Sequence, residues 1–132
     1  MRVPQTWPPP MLSRLLTPLL SSPLVRGGFV TALIGVFILA MIPLSAVPTV
    51  VSYQDKVEHA VAFAGLMLIG WAGWPQCTKP VAAGLMAYGV LIELCQHTLT
   101  TNRVGDPWDV IADTAGIFIG AWLIRARAAR LV

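Results

Sequence analysis

Apolar residues fall into four long runs separated by short polar windows, a pattern that predicts four membrane-crossing helices. From Gly27 to Gln54 there is no charged residue, and the run FVTALIGVFILAMIPL predicts a span at about 28–50. Pro43 and Pro48 bend or end its far side. A second run starts within YQDKVEH, Tyr53 to His59, and continues to Trp74, giving a span at about 56–74 with Trp71 and Trp74 suited to the headgroup zone. The loop PQCTKP places Pro80 in the first turn of a third span, about 80–99, which ends in a polar window holding Glu93 and His97. Asp106 as N-cap with Pro107 at the first helical position starts a fourth span, about 107–124. At 1.5 Å per residue that last span is about 27 Å long, enough for a bilayer core. Residues 1–26 form a proline-rich basic segment and residues 125–132 a basic tail.

Composition agrees with this division. Of 132 residues 56% are hydrophobic and 11% charged, with a mean hydropathy of +0.72. Soluble domains carry roughly 25% charged residues, so the solvent for this surface is a lipid bilayer. In a soluble chain a net charge of +3 and a pI near 9.3 would suggest nucleic acid as a partner; here the bases set topology and no nucleic-acid partner is expected. Arg2, Arg14, Arg26, Lys79, Arg125, Arg127 and Arg130 lie at the termini and in the middle loop, whereas Lys56 and Arg103 lie in the other two loops. The expected fold is an all-α, polytopic protein of the cytoplasmic (inner) membrane: four transmembrane helices in a single bundle, both termini cytoplasmic. All six carboxylates and both histidines then gather at the outer side. Cys77 sits at the inner end of the second span and Cys95 near the outer end of the third, about 27 Å apart if the intervening stretch is helical, too far for a disulfide.

The acids are not scattered. Asp55 and His59, Glu93 and His97, and Asp109 and Asp113 are each four residues apart, so each pair shares a helix face. Gly116 and Gly120 continue the face of Asp109 and Asp113, a small-residue stripe that lets another helix approach and turns that acidic face inward. Three readings of the cluster stand. In one, Asp55 and Asp106 are caps, Lys56 and Glu58 are interfacial, and Glu93 pairs with Arg103 as interhelical glue. In the second, Asp55, His59, Glu93 and Asp109 ligate a divalent metal. In the third, close carboxylates in low dielectric perform acid–base chemistry while Arg103 holds an anionic group. Neither HExxH nor CxxC occurs, and no serine or cysteine is arranged with a base as a nucleophile.

The order DKVEHAVAF, IELCQ, NR and DPWDVIADTAG, with a second glycine four residues on, resembles the VanZ-like family of small bacterial membrane proteins. The resemblance covers roughly Leu33 to Leu123 and falls on Asp55, Lys56, His59, Phe63, Glu93, Gln96, Arg103, Asp109, Gly116 and Gly120. It implies a cell-envelope protein of a family named for a member associated with low-level resistance to the glycopeptide teicoplanin. The family pattern usually has asparagine at the position of Asp113, and His97 is not one of its positions.

Together these readings give an outward-facing polar pocket that acts on a lipid-linked or amphiphilic envelope molecule at the outer leaflet. Glu93 is the candidate general base or ligand, with His59, Asp55 and Asp109 as catalytic partners; Arg103, Lys56, Gln96 and Asp113 are the candidate substrate contacts. The alternatives are a non-enzymatic binding or transport module and a structural bundle without a ligand.

Overall fold

A computed structural model describes residues 22–43, 53–101 and 105–130. Arg103 lies outside the described residues, as do most of the basic N-terminal segment and the second half of the first apolar run. The described chain folds into four helices: α1 (Pro23–Met41), α2 (Gln54–Gly73), α3 (Thr78–Leu99) and α4 (Pro107–Ala129), with a 3-10 turn at Pro75–Cys77 leading into α3. No strand occurs among the described residues.

Local signals account for the helix ends. Ser22 caps α1 by accepting the Val25 N–H at 3.4 Å, and Pro23 at the first turn gives up no hydrogen bond there. The helix stops at Met41, and Ile42 turns extended ahead of Pro43, as a residue before proline tends to do. Thus α1 begins before Gly27, with Arg26 inside its first turn. Asp106 caps α4, accepting the Trp108 N–H at 3.0 Å, and Pro107 follows it. The helix then continues past Ile124, through Arg125 and Arg127, to Ala129.

Three of these elements are long and apolar enough to cross a membrane: Pro23–Met41, Pro75–Leu99 and Pro107–Ala129. The remaining helix, α2, has 20 residues, but its first turns carry Asp55, Lys56, Glu58 and His59. It is also the helix most enclosed by the others. It packs most extensively along α4 and makes further contacts with α1 and α3. The core consists of Phe63, Leu66 and Met67 of α2, Leu85 and Ile92 of α3, Ile117 and Ile124 of α4, and Ala40 alone from α1.

The surface is inverted relative to that of a protein in water. Ile34 and Ile38 of α1, Val90 and Leu94 of α3, and Phe118 and Trp122 of α4 face outward, while Glu93, Gln96, Asp109 and Asp113 are buried. That distribution suits hydrocarbon outside and a polar seam inside. The closest helix approach lies between α2 and α4. A Cβ added at Gly116 would run into the Ala60 carbonyl, and one at Gly120 would sit 2.8 Å from Met67 Cβ and 3.0 Å from the Ala64 carbonyl oxygen. The glycine stripe therefore meets the backbone of α2 directly at Ala60 and packs on Ala64 and Met67 one turn further along.

Candidate functional site

Three helix ends build the polar cluster: the start of α2, the end of α3 and the start of α4. Lys56 stands at its edge. Its ammonium donates to Asp106 at 2.8 Å, Asp109 at 2.9 Å and Asp55 at 3.3 Å. One flexible stem thus joins the first turn of α2 to both the cap and the first turn of α4. Carboxylates are also favoured at that end of α4, where the helix presents its unpaired N–H groups. The Lys56 ammonium beside Asp106 holds the Asp106 carboxyl below the usual carboxylate range.

Deeper in, Glu93 Oε2 accepts the backbone N–H of Asp106 at 2.7 Å, which ties the end of α3 to the start of α4. His59 Nδ1 lies 2.8 Å from Asp113 Oδ1, joining α2 to the second turn of α4. Asp113 is 1% exposed, and Glu93 and Asp109 are each 8% exposed. Room for Asp113 comes from Gly89, where an added Cβ would lie 2.7 Å from Asp113 Oδ2. Two buried carboxylate oxygens, Glu93 Oε1 and Asp113 Oδ2, accept no hydrogen bond among the described residues. An unpaired charge buried inside a membrane bundle is costly, so such oxygens call for a proton, a cation or a ligand. His59, Glu93 and Asp109 each offer a ligand atom, and these atoms lie within 4.8 Å of one another.

The four-residue spacings resolve in different ways. Asp109 and Asp113 share the inner face of α4, as their spacing with Gly116 and Gly120 predicts. Asp55 stays at the rim with Lys56, and His59 turns instead to Asp113 on another helix. Glu93 faces in, while His97 in the last turn of α3 is exposed. Gln96 is buried, but its amide donates to the Ala40 carbonyl at 2.9 Å, so it fastens α1 to α3. Arg103 lies outside the described residues, and the described partner of Glu93 is the Asp106 N–H.

Asp106 is the residue whose part the sequence reading understates. Beyond capping, it receives Lys56 and donates its own N–H to Glu93. The signal was present in DPWD, which sets a second acid three residues ahead of Asp109.

Beside the cluster, between α1 and α2, lies a cavity of about 310 Å³. Val36, Leu39 and Ala40 of α1 and Ala62 and Phe63 of α2 form its apolar wall; Asp55, Glu58 and His59 form its polar side. His59 therefore belongs both to this cavity and to the cluster. A second cavity, of about 460 Å³ between Phe29, Leu33, Trp74 and Tyr88, carries no acid and no imidazole in its lining.

A family model described as VanZ/LLP1 matches residues 28–128, most of the chain. Neither the curated proteins nor the solved structures yield a match.

Proposed function

The chain belongs to the VanZ/LLP1 family, and from that premise we propose a multi-pass protein of the cytoplasmic membrane that acts on a lipid-linked or amphiphilic envelope molecule at the outer leaflet. The observation that carries this reading is the cavity between α1 and α2, with an apolar wall for a chain and a polar side formed by Asp55, Glu58 and His59. A ligand seated there has its polar part against the carboxylate cluster through His59. The charge distribution supports the orientation: seven of nine bases belong to the termini and the middle loop, which favours a cytoplasmic side for these and an outer side for the cluster.

In this reading Glu93 is the general base, because Oε1 remains unengaged while Oε2 holds the Asp106 N–H. His59, oriented by Asp113, carries the proton to or from the cavity, and Asp109 and Asp55 hold Lys56 at the rim. Arg103 binds the anionic group of the ligand. The resistance phenotype for which the family is named is the natural readout. Cells producing the wild-type chain are expected to show reduced teicoplanin susceptibility, and Glu93→Gln should abolish that effect at equal membrane yield. Equal protection by the variant would rule out the role of Glu93. For topology, an Arg103→Cys variant lacking Cys77 and Cys95 should react with a membrane-impermeant maleimide from outside.

A structural reading draws on the Lys56 bridge, which would hold three carboxylates on two helices even with no ligand. It predicts that Glu93→Gln lowers thermal stability and that any loss of protection follows from that alone.

A further inference from the structure

We propose that His59, Glu93 and Asp109 hold a single divalent first-row transition-metal ion, with Asp113 orienting the histidine. The ligand atoms of these residues come from three different helices and lie within 4.8 Å of one another. Three ligands at about 2.1 Å from one ion lie about 3.4–3.6 Å from one another, so the three atoms close by up to about 1.4 Å on binding.

Each ligand has the right group left over. Glu93 gives Oε2 to the Asp106 N–H, and Oε1 remains buried with no partner among the described residues. Glu93 itself is 8% exposed, so this oxygen cannot rely on bulk water. His59 Nδ1 is engaged by Asp113 Oδ1 at 2.8 Å, which leaves Nε2 as the free ring nitrogen. A ligating histidine whose other nitrogen is held by a carboxylate is the usual arrangement around a protein-bound metal. Asp109 takes Lys56 through Oδ1, which does not exhaust the acceptor capacity of a carboxylate.

Charge points the same way. Among the described residues, Asp55, Asp106 and Asp109 share one ammonium, Lys56, Asp113 takes one imidazole, His59, and Glu93 has the Asp106 N–H and no cation as its partner. A divalent ion offsets the two ligating carboxylates and satisfies the orphaned oxygen at once. One imidazole and two carboxylates suit zinc or manganese better than a thiolate-seeking ion, and three protein ligands leave a position open to water or substrate. The site borders the α1–α2 cavity through His59 but does not depend on what that cavity holds; with the ion bound, Glu93 and His59 serve as its ligands, which replaces their roles as base and proton carrier.

The test uses the full chain in detergent, stripped with chelator and titrated with Zn²⁺ alone by equilibrium dialysis. One ion per chain is expected for the wild type and for His97→Ala, which removes an exposed imidazole outside the cluster. His59→Ala and Glu93→Gln should lose the stoichiometric ion, and Asp113→Asn should bind it 10- to 100-fold more weakly. Absence of a stoichiometric ion in the wild type, or its retention in both ligand variants, overturns the proposal; unchanged affinity in Asp113→Asn removes that residue from the site. Zinc-edge X-ray absorption on the loaded wild type covers the case in which a variant fails to fold. Imidazole scattering with oxygen donors is expected, and zinc–sulfur scattering from Cys77 or Cys95 would overturn the assignment.

Discussion

Helices α4 and α1 are both apolar and long enough to cross a membrane, yet they join the bundle by different means. The inner face of α4 is a stripe of Asp109, Asp113, Gly116, Ile117, Gly120 and Ile124, all buried, and its glycines lie against the backbone and alanines of α2. Only Ala40 of α1 is buried, and a Cβ added at Gly27, Gly28 or Gly35 would meet nothing within 4 Å. What holds α1 is a set of side chains from other helices, or from its own first turn, reaching across to carbonyls. Gln96 donates to Ala40, Tyr88 donates to Leu33 at 2.5 Å, and Arg26 Nε donates to Gly73 at 3.0 Å while lying over the Trp74 ring. Two of those carbonyls lie in the last turn of a helix, where no intrahelical N–H remains for them. Lipid provides no hydrophobic drive between helices, so association rests on close packing or on hydrogen bonds, and these two helices divide the means between them. The lesson concerns function as well: three of the four catalytic candidates, Asp55, His59 and Asp109, sit on the tightly fitted α2–α4 pair, with Glu93 reaching in from α3, and the cavity lies under the more loosely held α1.

The largest effect should follow from breaking the fitted side. Gly116→Val places a branched side chain into the Ala60 carbonyl, where the obstacle is backbone and cannot swing aside. Overpacking costs typically 1–3 kcal/mol, and this site should exceed about 3 kcal/mol. Denaturant titration in mixed micelles should show the loss, and a stable Gly116→Val protein would mean that α2 and α4 are farther apart than described. Next comes Lys56→Met, which leaves Asp55, Asp106 and Asp109 facing one another. Breaking a buried pair costs about 3–5 kcal/mol, but the Lys56 side chain is 27% exposed, so about 2 kcal/mol is expected. The same titration measures it, and Lys56→Arg should recover part of the loss.

How much of this contrast is legible in the sequence depends on its range. Helix number follows from charge-free runs and proline positions, because both act within one turn. The α4 stripe is legible because Asp109, Asp113, Gly116 and Gly120 repeat at helical spacing on one element. Its register survives in the fold. Partner choice is not legible in the same way. Asp55 and His59 share spacing but not partners, since the α2–α4 crossing turns His59 to Asp113 and leaves Asp55 at the rim. Gln96 reads as a pocket residue, yet the carbonyl it satisfies is set by where α1 ends, 56 residues away. The start of α1 is hidden by Arg26, which a count of apolar residues treats as a boundary. In the fold its stem extends along the helix end and its head finds Gly73 and Trp74.

The third prediction sharpens the other half of the comparison. Gln96→Leu removes the tie to the Ala40 carbonyl without touching the α2–α4 seam. Interhelical hydrogen bonds in membranes average about 0.6 kcal/mol and reach about 1.7, so a loss near 1 kcal/mol is expected. The change should be local: hydrogen exchange should rise at the end of α1 and stay constant along the inner face of α4. Equal acceleration in both helices would mean that α1 supports the whole bundle.

The smallest effect expected is also the most discriminating. Gly35→Ala adds a methyl group on α1 where the space is open, and alanine loses less backbone entropy than glycine in a helix. The outcome should lie between no change and a gain of about 1 kcal/mol. The same substitution on α4, Gly120→Ala, meets Met67 Cβ at 2.8 Å and should destabilise. A cost at Gly35 comparable to that at Gly120 would place a close neighbour on this face of α1 that no described residue supplies, as a second copy of the chain could. In that event α1 would be the fitted helix of a larger assembly, and the contrast between the two helices would hold only within a single chain.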